Sequence, residues 1–332
     1  MHSRTIYFLR FLTALTLIVV LLGAYTRLKD AGLGCPDWPG CYGEWIVPEH
    51  IATNHPHANV PLEQHKAWLE MIHRYAAGTL GVLIFAFTLM TWTSPLLHKF
   101  RGLASFTAIF TVLQALLGMW TVTWLLHPTI VMLHLLGGLL ILSCVWLLQL
   151  RAQTSPHEYT VANVSSIYYA ALFGLILLIC QIALGGWVSA NYAALVCGTD
   201  FPLCQGKLIP PLYFKQAFSF WIPIDQNYAG GVLDHPLRIT IHMIHRLGAV
   251  VLTAYWFILS IVCLWRHLNL RKIILTFWIL LAAQVTLGII NVVALLPTWS
   301  AVLHNGVAAL LLLTVVTLNY KIYQRMVNDR LT

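Results

Sequence analysis

Residues 70–81 read EMIHRYAAGTLG, and residues 242–249 read HMIHRLGA. Each stretch opens an apolar run long enough to cross a membrane. Each also puts a histidine and then an arginine where such a run begins. A pair of costly residues at the mouth of a membrane helix, found twice in one chain, governs how everything around it is read.

The surrounding composition is that of an integral membrane protein. Of 332 residues, 59% are hydrophobic and only 9% charged, and the mean hydropathy is +0.77. A soluble domain typically carries about 25% charged residues. Spans of roughly 20 apolar residues are predicted at 6–26, 68–92, 103–125, 129–150, 167–190, 238–264, 272–295 and 299–323. The first carries Arg4 and Arg10 ahead of its apolar core, as a signal peptide would. It runs too long without a small-residue cleavage site, so it is read as a retained helix.

The formal net charge of +8 does not point to a nucleic-acid partner. In an eight-helix layout Arg4, Arg10, Lys99, Arg101, Arg151, Arg266, Arg271, Lys272, Lys321, Arg325 and Arg330 all fall on one side. That side is the cytoplasm by the positive-inside rule. Both termini are then cytoplasmic, and the long loops 27–67 and 191–237 face outward. The basic excess reports topology in a lipid bilayer.

Cys35 and Cys41 fall in the first outer loop and Cys197 and Cys204 in the second. On an oxidising face each pair is expected to form a short disulfide. A zinc site is the rival reading, although each loop offers a single pair. Cys144, Cys180 and Cys263 lie within spans and read as small packing residues.

The two halves repeat one design. LLGAYTRLKDAGLGCPDWPGCYGEW (21–45) is matched by ALGGWVSANYAALVCGTDFPLCQGK (183–207). LQALLG (113–118) is matched by AQVTLG (283–288), which aligns Gln114 with Gln284. LLHPTIVMLHLLGG (125–138) is matched by LLPTWSAVLHNGVA (295–308). The predicted fold is all-α: eight transmembrane helices in two tandem four-helix bundles related by a pseudo-two-fold axis along the membrane normal. The units are 1–150 and 167–332, joined by a cytoplasmic linker at 151–166. Glycines such as Gly78, Gly118, Gly185, Gly248 and Gly288 allow close approach of another helix or of a flat ligand.

Within this repeat His73 opens the second helix and His134 the fourth, while His245 opens the sixth and His304 the eighth. The separations nearly agree, at 61 and 59 residues. Ionisable residues inside a membrane are functional candidates by default, whereas one isolated histidine would suit a hydrogen bond to a neighbouring helix. Four at matched depth favour pairs of facing imidazoles, which can fill both axial positions of a haem iron. Zinc would want four ligands, and each unit supplies two.

Arg74 and Arg246 follow the helix-opening histidines and are candidates to hold haem propionates. Snorkelling to headgroups is the other reading. Three residues before His73 stands Glu70, where the second unit has His242. That spacing shares a helix face, so the first unit alone has an acid to manage protons. The asymmetry suggests chemistry in the first unit and electron transfer in the second. Glu70 would also suit a helix N-terminus for its charge alone. His50, His55, His57 and His65 of the first loop admit a haem-handover or metal role but are read as a solvated loop, with His65 near the start of the second helix; His127 and His235 near helix ends are read in the same way.

Taken together, TRLKDAGLGCPDWPGCYGEW (26–45), EMIHRYAAGTLG, LHLLGG (133–138), CGTDFPLC (197–204), HMIHRLGA and LHNG (303–306) resemble the haem A synthases over nearly the whole chain. The resemblance is to the bacterial branch with cysteine pairs in its outer loops. It implies that His73 and His134 bracket the substrate haem O, that His245 and His304 ligate a haem b cofactor, and that Glu70 is catalytic. The implied reaction oxidises a haem methyl group through an alcohol and a hydrated aldehyde to a formyl group, with oxygen from water. It also implies a bacterial plasma membrane, cytochrome oxidase assembly and contact with haem O synthase. The electron acceptor and homo-oligomerisation stay open. Two other readings remain: a dihaem cytochrome b carrying electrons, and a non-catalytic haem carrier or assembly factor.

Overall fold

Inside a bilayer every main-chain N–H and C=O needs a partner within the protein, and a helix supplies it locally. The apolar runs of this chain all take that solution. The computed structural model describes residues 2–52, 55–153, 165–224, 226–266 and 270–329. Its helices are α1 (His2–Leu28), α2 (Gln64–Thr93), α3 (Arg101–Thr123), α4 (Pro128–Gln153), α5 (Ser165–Ala190), a short α6 (Phe214–Ala217), α7 (His235–Trp265), α8 (Arg271–Val293) and α9 (Thr298–Asp329). Eight of them are long and apolar enough to cross a membrane, and only α6 is not. No strand occurs among the described residues beyond two isolated bridges, Cys41 with Glu44 and Cys204 with Lys207.

Local chemistry marks the helix ends. Ser94 leaves α2 in an extended conformation just before Pro95, as the residue preceding a proline prefers. Pro236 sits in the first turn of α7, where its missing N–H leaves no bond unmade. The chain reverses after α3 through Leu125 and Leu126, and after α8 through Leu295 and Leu296, all four at positive φ. Asp30 and Tyr192, then Tyr42 and Gln205, are further matched pairs with positive φ. The duplication seen in the sequence therefore extends to the backbone of the turns.

Helix α1 packs on α2 and α4, and α3 packs on both of those. In the second half α5 packs on α7 and α9, and α8 on α9. Helices α7 and α8 meet through large side chains, with Trp278 Nε1 donating to Ser260 Oγ at 3.1 Å and Phe257 edge-on to Trp278. The halves join where α1 and α4 meet α9 and where α4 meets α5. Leu142, Trp256, Phe277 and Leu311 belong to the apolar core of this junction and of the second unit.

Two expectations need correction. Helices α2 and α7 start at Gln64 and His235, so His73 and His245 lie inside their helices and do not open them. Glu70 likewise stands within α2, and His65 is part of that helix. The cause is the folded outer loop, which lies against the extra turns. A Cβ on Gly34 would come within 2.6 Å of the Lys66 main chain. At the other side α4 continues to Gln153, so the start of the linker is helical. Residues 154–164 of the linker, and Arg330 among the charges used for topology, lie outside the described residues.

Candidate functional site

A four-residue spacing recurs in this chain: QALLG at 114–118, QIALG at 181–185 and QVTLG at 284–288. It puts a glutamine and a glycine on one helix face, a turn apart. The glycine makes a recess and the imidazole of a neighbouring helix fills it. A Cβ on Gly118 would stand 3.1 Å from His134 Cε1, one on Gly185 3.2 Å from His245 Cε1, and one on Gly288 3.2 Å from His304 Cε1. Gly23 receives His73 in the same way at 3.0 Å.

The glutamine amide then grips the ring. Gln114 Nε2 is 3.1 Å from His134 Nδ1 and donates to the His134 carbonyl at 2.7 Å. Gln181 Nε2 is 3.1 Å from His245 Nδ1 and donates to the His245 carbonyl at 2.9 Å. At His304 the contact falls on the other nitrogen, with Gln284 Nε2 3.0 Å from Nε2. Gln114 and Gln284 were visible as repeat positions in the sequence. Gln181 was missed, although its place four residues before Gly185 is the signal that identifies it.

All four histidines line one cavity of about 2190 Å³ together with Glu70, Arg74, His242 and Arg246. Single small-molecule sites are roughly 300–1,000 Å³, so this space suits two large ligands. His134 lies within electrostatic reach of His73, and His245 within reach of His304. The aromatic–proline step of each outer loop, Trp38–Pro39 and Phe201–Pro202, also lines the cavity, whereas the four loop cysteines do not. Cys35 is bonded to Cys41 and Cys197 to Cys204. The disulfide reading holds and the zinc alternative falls.

Both arginines are occupied by these loops. Arg74 Nη1 donates to the carbonyls of Pro39 at 3.2 Å and Gly40 at 2.5 Å, and Nη2 donates to the Asp37 carbonyl at 2.9 Å. The same Nη2 meets Glu70 Oε1 at 2.5 Å. Arg246 Nη1 donates to the carbonyls of Pro202 and Leu203, at 3.2 and 2.9 Å, and Nη2 to that of Asp200 at 3.3 Å. Each guanidinium thus clamps a disulfide loop over the cavity and keeps few donors for anything else.

The acid–histidine asymmetry is the chief difference between the units. Glu70 is buried, 4% exposed, and its Oε2 accepts the Cys35 N–H at 2.9 Å. In the second unit Arg246 Nε donates to His242 Nε2 at 2.9 Å. Arginine has only donors, so His242 Nε2 is an acceptor and Nδ1 carries the ring proton, directed at the Ala193 carbonyl 3.0 Å away. His242 is thereby a neutral ring with both nitrogens committed. Glu70 is a carboxylate with lone pairs to spare.

Outside the cavity, His55 and His57 lie against each other in the first loop, with ring centroids 5.6 Å apart. No group of three or more metal-binding side chains occurs among the described residues. His127 was expected to be solvated and is buried instead. Its Nε2 lies 3.3 Å from the Ile222 carbonyl and its ring meets Tyr228 edge-on at 5.3 Å. The second loop folds back over it. Sequence reading also missed Arg27, whose Nη2 donates to the Ser189 carbonyl at 2.6 Å and whose guanidinium lies over the Tyr192 ring at 4.1 Å. It ties the first unit to the second.

These residues suit a haem. Each imidazole sits in a recess that any side chain larger than glycine would fill, and each faces apolar space. At His134 and His245 the amide lies on the Nδ1 side of the ring, and turned over, with its unpartnered Oε1 accepting the Nδ1 proton, it leaves Nε2 as the nitrogen for a metal.

Fold and site define a multi-pass helical membrane protein with four imidazoles lining an apolar cavity. Comparison with known sequences narrows the class. The pattern of the cytochrome oxidase assembly protein family, COX15-CtaA, matches residues 6–316, and the chain belongs to that family. It is 45% identical to the heme A synthase of Shewanella oneidensis over 96% of this chain and 97% of that one. It is 25% identical to the heme A synthase of Geobacillus kaustophilus, covering 88% and 83% of the two chains. It is also 25% identical to that of Bacillus mycoides, covering 91% and 88%.

Proposed function

We propose that this protein is a haem A synthase, an oxidoreductase that converts a methyl group of haem O to a formyl group for cytochrome oxidase assembly. The observation that carries the reading is the buried Glu70 beside one imidazole pair and its replacement by a neutral, fully bonded His242 beside the other. Only the first unit, residues 1–150, can accept a proton at that position. Haem O is the substrate of this unit, with His73 and His134 as its ligands. The second unit, 167–332, holds haem b through His245 and His304. Bound there, haem b supplies one-electron redox chemistry.

The chain's own residues then have separable tasks. Arg74 and the Cys35 N–H orient the Glu70 carboxylate, each on a different oxygen. The lone pairs that remain accept a proton from water or from substrate as the carbon is oxidised. The two loops, fastened by Arg74 and Arg246, keep bulk water from the mouth of the cavity. Haem propionates have the last free guanidinium donors as partners. The protein resides in the bacterial plasma membrane with both termini cytoplasmic, and haem O synthase is the partner that supplies substrate.

Expression together with a source of haem O, followed by pigment extraction and chromatography, tests the proposal. Haem A beside haem b is the expected result. Haem b alone would make the protein an electron carrier.

A further inference from the structure

The imidazoles are not held alike. His134, His245 and His304 each contact a glutamine of the preceding membrane-spanning helix. At the corresponding place in α1 the sequence is VVLLG, 19–23, and Val19 replaces the glutamine. No side chain among the described residues hydrogen-bonds the His73 ring; its partner there is the Val19 main chain, as the main chains of Gln114 and Gln284 are for His134 and His304, so the difference lies in the missing side-chain amide.

A second substitution agrees with the first. Three residues after His134 stands Gly137, and three after His245 stands Gly248. Their missing side chains make room for the amide: a Cβ there would lie 2.1 Å from Gln114 Oε1 or 2.3 Å from Gln181 Oε1. Three residues after His73 stands Ala76. That position therefore carries a side chain where the other two carry none. The glutamine and the glycine are both absent at His73. His304 is intermediate, since it keeps Gln284 but has Val307 at the glycine position, and its amide reaches Nε2 instead.

The geometry points to His73 as the exchangeable ligand of the first unit, the imidazole that releases the iron when a tetrapyrrole enters or leaves, with His134 as the fixed one. This inference rests on the assignment of haem to both units. Partners on the second nitrogen of a metal-bound imidazole fix its orientation, and removing one typically costs about 10–100-fold in metal affinity. A cofactor site needs both rings held. A site that turns over its tetrapyrrole needs one ring that lets go. Val19 and Ala76 are positioning residues that act by leaving His73 without a side-chain amide, held by the Val19 main chain and by packing against Gly23.

The test uses the purified, haem-loaded protein in the ferrous state. Carbon monoxide can bind only after one imidazole leaves, and apomyoglobin traps haem that dissociates, so both report ligand release without turnover. Wild type should show two phases at least about 10-fold apart. V19Q with A76G should slow the fast phase and leave the slow one unchanged. Q181V with G248A should speed the slow phase by a similar factor. If V19Q/A76G fails to bind haem, Q181V/G248A decides: acceleration supports the inference and an unchanged rate overturns it. Two haems released at a single rate, or a fast phase unmoved by V19Q/A76G, would overturn the inference and leave the proposed function standing. Haem in the second unit only would overturn both.

Discussion

Glu70 Oε2 accepts the main-chain N–H of Cys35 at 2.9 Å, so the acid of α2 and the disulfide loop above it are mechanically one piece. A proton acceptor buried in a membrane protein must be held in place, because a wandering carboxylate would find other partners. Replacing Glu70 by Ala should leave haem bound while formyl product falls by about 10²-fold or more. Glu70→Gln keeps an acceptor for Cys35 but not the basicity, and should lose as much. Chromatography of extracted haems checks both, and a Gln variant with normal product would reduce Glu70 to a structural role.

Arg74 and Arg246 occupy equivalent places but face partners of different charge. Truncating Arg74 strands a buried carboxylate, a loss of about 3–5 kcal/mol when a buried pair is broken. Truncating Arg246 strands neutral acceptors, at about 1–3 kcal/mol. Thermal unfolding in detergent should therefore show Arg74→Ala well below Arg246→Ala. An additional Glu70→Ala should recover part of the Arg74→Ala loss and none of the other.

The glycine recesses make a third prediction. Gly185→Val should push His245 off its seat, since even a Cβ there would be 3.2 Å from the ring. Overpacking of this kind costs about 1–3 kcal/mol, so the helices should persist by circular dichroism while the second-unit haem is lost. Gly102 has nothing within 4 Å of an added Cβ, and Gly102→Val serves as the control with haem retained.

Much of this was legible in the sequence because hydrophobic runs and duplicated spacings are local signals. All eight spans were placed, and His73, His134, His245 and His304 do line one cavity. What escaped reading depends on main-chain atoms brought from far along the chain. Nothing in a sequence marks the Pro39 or Pro202 carbonyls as partners for an arginine more than thirty residues away. The guanidinium groups therefore looked freer for propionates than they are. His127 looked exposed for the same reason, as the segment that buries it, around Ile222 and Tyr228, is distant in sequence. Gln181 was available to inspection, but it has no glutamine counterpart at Val19, and a search for repeats passes over a residue found in one half only.

The central claim is that each unit binds its own haem through its own pair of histidines. Haem composition of single-ligand variants tests it most directly, using protein made with a haem O source. His245→Ala should lose haem b and retain haem O in the first unit, while His134→Ala should lose haem O and keep haem b. If either substitution removed both pigments from a protein that still folds, or neither pigment, the two-site account would be contradicted.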